Sequence, residues 1–160
     1  MRKSSLLLIC VLLCLCNFSC VKNNASSPCT NHSVAQDEPA ILAYLAANNI
    51  TGYIKHPSGL YYKIVTQGSG VGASISSKVF VKYTGTYTDK TSFDAVSDAS
   101  KTGWVLGTLI EAWQIGIPLI QKGGKIQLFV PSALGYGCQQ TGPIPGNSVL
   151  IFEVELVDVL

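Results

Sequence analysis

The segment at residues 125–152, KIQLFVPSALGYGCQQTGPIPGNSVLIF, decides the fold of this chain. It begins with an alternating run in which Ile126, Leu128 and Val130 share one face. It ends in a second alternating run, residues 148–160, with apolar side chains at every other position from Leu150. Alternation with a period of two residues is typical of half-buried strands. The segment therefore predicts two strands that are joined by a long loop.

The loop between these two strands is rich in proline and glycine. It contains PSALGYG at residues 131–137 and GPIPG at residues 142–146. Long loops without secondary structure are uncommon in compact domains, and they are usually functional. This loop places Tyr136 and Ile144 near a strand whose inward residue is Phe152. We therefore expect a binding site over this part of the sheet.

The composition predicts one globular domain with appended segments. The chain has 160 residues, of which 48% are hydrophobic and 12% are charged, so a buried core is expected and wholesale disorder is not. The formal net charge of +2 depends on Arg2 and Lys3, because without them nine lysines face nine acidic residues. A net charge near zero argues against nucleic acid as a partner.

The first residues, 1–19, predict a lipoprotein signal peptide. Arg2 and Lys3 precede an apolar run that is too short to span a bilayer as a helix. The sequence NFSC at residues 17–20 is similar to a loose bacterial lipobox, in which Cys20 is lipidated and becomes the mature N-terminus. Several acyl chains on this cysteine would anchor the protein firmly in a membrane. The alternative is an ordinary secretory leader in which the cysteine has no role.

Residues 20–32 are small and polar, which predicts a flexible tether between membrane and domain. Beyond Cys20, the remaining cysteines are Cys29 and Cys138. Outside the cytoplasm these two could form a disulfide, or both could stay free.

Residues 33–49 predict a helix that precedes the main domain. A capping box begins at Ser33, and an apolar stripe follows at Ile41, Leu42 and Leu45. The stripe could dock a second copy or a membrane assembly, or it could pack on the domain of its own chain.

The middle of the chain predicts three more strands and one short helix. The strands lie at residues 60–66, 78–87 and 104–106, and the helix lies at residues 109–115. Residues 88–101 are rich in turn-forming and polar side chains. The predicted fold class is α+β, with an antiparallel β-sheet of about five strands wrapped around one short central helix and an extra N-terminal helix.

The sequence lacks the motifs of several common chemistries. His32 and His56 have no other metal-binding residue at ligand spacing, so no metal site is expected. No serine lies in a Gly-x-Ser-x-Gly elbow, and no Gly-Lys-Ser/Thr phosphate loop occurs. We therefore expect no cofactor and a reaction that needs little proton transfer.

Five motifs occur in order along the second half of the chain. They are VKYTG at residues 81–85, SFD at 92–94, WQIG at 113–116, PSALGYG at 131–137 and GPIPGNSVLIFEVEL at 142–156. Together they resemble the FK506-binding-protein (FKBP) type of peptidyl-prolyl cis/trans isomerase. The resemblance covers residues 59–160 and implies the same α+β fold. It places the isomerase domain at 59–160, after a helix and linker at 33–58.

The resemblance also implies an aromatic pocket that binds proline-containing polypeptides and that a macrolide inhibitor could occupy. The expected substrate-binding residues are Phe93, Leu109, Ile110, Trp113, Ile144 and Phe152, with Trp113 as the floor and Ile144 over the mouth. The expected catalytic residues are Asp94, Tyr136 and Tyr83. Asp94 would interact with the twisted amide or orient Tyr83, and Tyr136 would offer its hydroxyl to the substrate. The backbone N–H of Ile110 would hold a ligand carbonyl.

Three positions depart from the family pattern. Thr102 stands where the family often has an aromatic residue, so that wall is either open or supplied by Trp104. Ala112 replaces the usual glycine before Trp113, and Cys138 lies next to the expected mouth of the pocket. These departures concern substrate range and macrolide affinity more than activity.

The resemblance implies an isomerase that assists protein folding in the cell envelope. The same groove could instead belong to a non-catalytic binding or chaperone module for unfolded or proline-containing segments. Because the loop at residues 137–142 is short and carries no large apolar insertion, we favour the enzyme.

Overall fold

The computed structural model describes residues 28–160, so the predicted signal peptide and Cys20 lie outside the described residues. The elements in chain order are helix α1 (Val34–Ala47), strands β1 (Ile54–Lys55), β2 (Tyr61–Thr66), β3 (Lys78–Tyr87), β4 (Ser92–Val96) and β5 (Trp104–Val105), helix α2 (Glu111–Gly116), and strands β6 (Lys125–Val130) and β7 (Leu150–Val159). Short 3-10 turns occur at Ala99–Lys101, Leu106–Thr108, Ile117–Leu119 and Ser132–Leu134.

The strands form one antiparallel sheet in the order β1-β2-β6-β7-β3-β4, and β5 pairs with β3. The predicted α+β fold is confirmed, although the sheet has seven strands rather than about five. The two predicted strands of the opening segment pair directly, with Leu128 opposite Phe152. The unpredicted strands are β1, which has two residues, and β4, which lies in the polar stretch.

The inner face of the sheet packs on α2 and forms the main core. Leu128, Val154 and Leu156 are buried there together with Ala112 and Trp113 of α2. The inward positions of β7 follow the predicted alternation, since Leu150, Phe152, Val154 and Leu156 are all buried. This core holds α2 against the inner face of the sheet.

Helix α1 packs on the outer face of the same sheet and forms a second core. Ile41 and Leu45 are buried against Tyr61, Phe129 and Ile151. The helix begins after Ser33, whose N–H donates to the side chain of Gln36, as the predicted capping box requires. Of the predicted stripe, Leu42 is 40% exposed and does not take part. The stripe therefore serves packing within the chain.

Residues 29–32 are bonded to the loop that joins β6 to β7. The structure pairs Cys29 with Cys138 in a disulfide whose Cα atoms are 5.6 Å apart. Asn31 Oδ1 accepts a hydrogen bond from the N–H of Cys138 at 2.8 Å. The end of the segment assigned to the tether is therefore part of the folded domain. Within residues 28–160, no helix is long and apolar enough to cross a membrane.

Candidate active site

A pocket of about 310 Å³ opens on the inner side of the sheet, next to α2 and the loop after β6. Its lining residues are Tyr83, Asp94, Trp104, Thr108, Leu109, Ile110, Trp113, Tyr136 and Phe152. The structure thus brings together residues from β3, β4, β5, β7, α2 and two loops, which are far apart in the sequence. Most of the residues predicted for the site lie on this lining.

Aromatic rings form the base of the pocket. The rings of Tyr83 and Phe152 meet Trp113 edge to face, with centroids 5.0 Å and 5.5 Å from the indole. Such pairs add to the stability gained from burial and hold each ring in one orientation. Trp113 is 4% exposed, and its Nε1–H has no acceptor among the described residues. The indole is therefore held by packing rather than by a hydrogen bond.

Asp94 and Tyr83 form the polar side of the pocket. They lie on the paired strands β4 and β3, and Asp94 is exposed to solvent. The hydroxyl of Tyr83 donates to Asp94 Oδ2 at 2.5 Å. Burial of the ring raises the pKa of Tyr83 far above its ordinary value, and the bond to the Asp94 carboxylate raises this pKa further. Tyr83 is thus protonated at neutral pH and committed to the carboxylate.

Besides the buried indole N–H of Trp113, two more hydrogen-bond donors at the pocket have no acceptor within the described part of the chain. The hydroxyl of Tyr136 is one of them, and its side chain is 38% exposed. Burial of its ring and the nearby charge of Asp94 raise the pKa of Tyr136, so this hydroxyl keeps its proton at neutral pH. The other is the backbone N–H of Ile110, the residue that precedes α2. The carbonyl of Ile110 accepts from the N–H groups of Trp113 and Gln114, but its own N–H is free within residues 28–160. Both donors are available to a ligand carbonyl.

Two of the predicted substrate-binding residues lie beside the pocket rather than on its lining. Phe93 packs behind Phe152, with centroids 5.6 Å apart. Its ring fits there because a Cβ at Gly85 would lie 2.6 Å from it. Ile144 is 5% exposed and belongs to the main core. Phe93 therefore supports the wall from behind, and Ile144 does not lie over the mouth of the pocket.

Trp104 and Thr108 line the pocket although neither was among the predicted site residues. The ring centroids of Trp104 and Trp113 are 6.4 Å apart. Trp104 thus supplies the wall near Thr102, which the sequence had left as either open or formed by Trp104. Thr102 does not line the pocket. Its hydroxyl accepts from the N–H of Val81 at 2.9 Å and donates to the carbonyl of Ala99 at 2.7 Å. No sequence pattern marked Thr108, whose hydroxyl donates to the carbonyl of Val105.

A larger groove of about 420 Å³ crosses the outer face of the sheet. Within it, Lys125 pairs with Glu155 at 3.2 Å, and Gln127 donates to Glu153 at 2.7 Å. It contains neither of the two tryptophans and no unpartnered donor of the kind found beside α2. We therefore assign the chemistry to the smaller, aromatic pocket.

The fold and the site together define a family. The profile described as "FKBP-type peptidyl-prolyl cis-trans isomerase" matches residues 70–157. The chain therefore belongs to the FKBP-type peptidyl-prolyl cis-trans isomerase family. The match covers the pocket residues from β3 to β7 and excludes helix α1.

Two individual relatives are similar to most of this chain. The chain is 40% identical over 118 residues to the FKBP-type peptidyl-prolyl cis-trans isomerase FkpA of Aeromonas hydrophila, which covers 72% of this chain and 44% of that protein. It is 38% identical over 120 residues to the outer membrane protein MIP of Legionella longbeachae, which covers 73% of this chain and 52% of the relative. The chain thus spans about half the length of these two relatives.

A solved structure supports the fold. The crystal structure of FkpA from Escherichia coli superposes with a TM-score of 0.67 at 34% sequence identity. The superposition covers 79% of this chain and 60% of that one.

Proposed function

We propose that the protein is a peptidyl-prolyl cis/trans isomerase that assists protein folding in the bacterial cell envelope. The observation that carries the proposal is the aromatic pocket with one carboxylate, Asp94, held by Tyr83 at its edge. Family membership points to the same reaction. Proline-containing polypeptides are the proposed substrates, and a macrolide that mimics proline would compete with them for the pocket.

The reaction suits a site with few proton-transfer groups. Rotation about an X-Pro bond breaks no covalent bond, and its barrier of about 18–20 kcal/mol comes from the amide resonance that the twisted state loses. Water stabilises the planar, charge-separated amide more than the twisted one, so a dry aromatic pocket lowers the barrier. If desolvation and one differential hydrogen bond each contribute roughly 2–3 kcal/mol, the rate rises about 10³- to 10⁴-fold.

The side chains divide these tasks between them. Trp113 is the proposed floor under the proline ring, and Tyr83 and Phe152 are the proposed walls. The N–H of Ile110 is positioned to hold a substrate carbonyl, and the hydroxyl of Tyr136 is a second free donor. Asp94 is proposed to interact with the twisted amide, while its bond from Tyr83 fixes the orientation of the carboxylate.

An isomerisation assay on the full-length protein in mild detergent tests this proposal. A proline peptide whose trans form alone is cleaved by a protease should be converted faster than by the uncatalysed reaction. Competition by a macrolide would place the activity in the pocket. If the protein binds the peptide but does not accelerate isomerisation, the non-catalytic binding module is the better description.

We also propose export and a lipid anchor at Cys20, which lies outside the described residues. The disulfide between Cys29 and Cys138 supports export, because such bonds persist in oxidising compartments. The name of the relative from Legionella longbeachae points to the outer membrane for that protein. Labelling with a fatty-acid analogue should mark the wild type and should not mark Cys20→Ala. Label that survives in the variant would exclude Cys20 as the anchor.

A further inference from the structure

We propose that Asp37, on helix α1, is a positioning residue for Tyr136 in the active site. This inference rests on the proposed isomerase function. Asp37 lies before residues 70–157, which the family profile matches. It is 4% exposed, and Ser132, its partner in the loop after β6, is 1% exposed.

Two hydrogen bonds join Asp37 to the loop. Asp37 Oδ2 accepts from the backbone N–H of Ser132 at 2.7 Å and from its hydroxyl at 2.6 Å. The other carboxylate oxygen, Oδ1, lies 2.9 Å from His32 Nδ1. A carboxylate is costly to bury unless its oxygens are hydrogen-bonded, and bonds to a charged group are roughly twice as strong as neutral ones. The contact is therefore a firm attachment of the loop to α1.

Ser132 passes this attachment to Tyr136. The carbonyl of Ser132 accepts from the N–H of Gly135 at 3.0 Å and from the N–H of Gly137 at 2.9 Å. These two glycines are the immediate neighbours of Tyr136 in the chain. A continuous set of bonds thus runs from Asp37 through Ser132 to both sides of the tyrosine.

The far side of the loop is held by residues that precede Asp37. We call residues 29–37 the N-terminal clasp. His32 donates its N–H to Asn147 Oδ1 at 2.9 Å, and the N–H of Asn147 donates to the carbonyl of Gly137 at 2.8 Å. Since the disulfide of Cys29 also reaches this loop at Cys138, the clasp contacts it on both sides of Tyr136.

Tyr136 needs such support because its hydroxyl has no partner within the described residues and its side chain is 38% exposed. The position of the hydroxyl over the pocket is then set by the backbone that carries it. Catalysis is sensitive to small displacements of a group that contacts substrate. Loss of Asp37 should therefore reduce the contribution of Tyr136 and leave the rest of the pocket intact.

The first test compares three variants of the full-length protein. Asp37→Ala removes both bonds and is expected to lower kcat/KM roughly three- to fivefold, mainly through kcat. Asp37→Asn keeps an oxygen that can accept both bonds, so it should remain within about twofold of the wild type. Leu45→Ala is the control on the same helix. It removes a buried side chain that makes no hydrogen bond to Ser132, so the folded variant should retain the wild-type kcat/KM. An equal loss in Leu45→Ala and Asp37→Ala would overturn the proposal.

The second test asks whether Asp37 acts through Tyr136. In a Tyr136→Phe background the hydroxyl is already absent, so Asp37→Ala should cause little further loss. Effects that multiply in the double variant would show that Asp37 acts by another route, and the proposal would be wrong.

The third test does not depend on catalysis. With fluorotyrosine incorporated, the ¹⁹F resonance of Tyr136 is assigned by its absence in Tyr136→Phe. It should shift in Asp37→Ala and, less, in Ser132→Ala, and it should stay in place in Leu45→Ala. An unchanged resonance in both loop-contact variants would overturn the proposal. If the wild type lacks isomerase activity, the proposed function fails, and this measurement still decides whether Asp37 positions Tyr136.

Discussion

At the scale of single residues, the proposed chemistry of the pocket depends on the Tyr83–Asp94 pair. Asp94 is exposed, so its position is fixed less by burial than by the hydrogen bond from Tyr83. Because burial keeps Tyr83 protonated, this bond persists throughout the physiological pH range. A carboxylate that is oriented before substrate arrives can favour the twisted amide over the planar one.

Asp94→Ala is predicted to reduce catalysis more than binding. The variant should fold, because Asp94 is exposed, and kcat/KM should fall about tenfold or more, which corresponds to about 1.4 kcal/mol in the barrier. Affinity for a proline peptide should change less. Tyr136→Phe should be milder, since one hydroxyl is lost and the ring remains. Full activity in Asp94→Ala would show that the acid has only a structural role.

The raised pKa of Tyr83 predicts a loss of stability in alkaline solution. A raised pKa in the folded state means that the group stabilises the fold fully below its ordinary pKa of 10.0. That stabilisation is lost as the pH rises above this value, because only the unfolded chain ionises readily there. Urea unfolding at pH 8 and above pH 10 should show the fall, and Tyr83→Phe should show a smaller one. An identical fall in the variant would assign the effect to other groups.

The sequence predicted the pocket best where a residue's role depends on a local motif. Trp113, Tyr83, Asp94 and Tyr136 lie in such motifs, and the structure places them on one pocket. Thr108 could not be predicted, because its place on the lining depends on how the turn before α2 meets the sheet. The attachment of Asp37 to Ser132 depends on the packing of α1 against the loop, which no local pattern encodes.

At the scale of elements, helix α1 adds a second core to the outer face of the sheet. Its buried residues contact Phe129 of β6 and Ile151 of β7. These are the two strands that the loop carrying Tyr136 joins. The helix therefore supports these strands from the face opposite to the pocket. The side chains of Ile41 and Leu45 are only 0% and 1% exposed, so they cannot dock a partner while α1 is packed on the sheet.

Leu45→Ala is predicted to lower the free energy of unfolding by about 2–4 kcal/mol, because it removes a fully buried side chain and leaves a cavity. Leu42→Ala on the same helix is the matched control and should change stability by no more than about 0.5 kcal/mol. Urea unfolding monitored by tryptophan fluorescence measures both. Similar losses in the two variants would contradict the assignment of the buried face.

The longer strands could be predicted from the sequence because inward apolar residues recur along most of their length at every second position. Strand β3 has the predicted bounds, and β6 covers the predicted alternating run. Strand β4 was missed because Ser92–Val96 is short and lies in a stretch that is rich in polar and turn-forming residues. It pairs with β3 at the edge of the sheet, where tertiary contacts outweigh local propensity.

At the scale of the whole molecule, the N-terminal clasp attaches residues 29–37 to the loop that joins β6 to β7. Composition alone predicted a flexible tether for residues 20–32, because small polar residues have no apolar pattern. The disulfide and three hydrogen bonds nevertheless hold residues 29–32 on the domain. These contacts connect positions more than 100 residues apart, and such pairings cannot be read from spacing.

The final prediction concerns the disulfide that closes this long connection. Cys29 and Cys138 are separated by 109 residues, and a cross-link over a loop of about 100 residues restricts the unfolded chain by up to roughly 4.7 kcal/mol. The double variant Cys29→Ser/Cys138→Ser should therefore lose about 2–4 kcal/mol of unfolding free energy, as is typical of native disulfides. Its native pocket should persist, because the bonds of Asn31, His32 and Asp37 to the loop remain.

Urea unfolding with and without a reductant provides the measurement. Reductant should lower the midpoint of the wild type towards that of the double variant and leave the double variant unchanged. A double variant as stable as the oxidised wild type would contradict this prediction and would show that the cross-link adds no net stability.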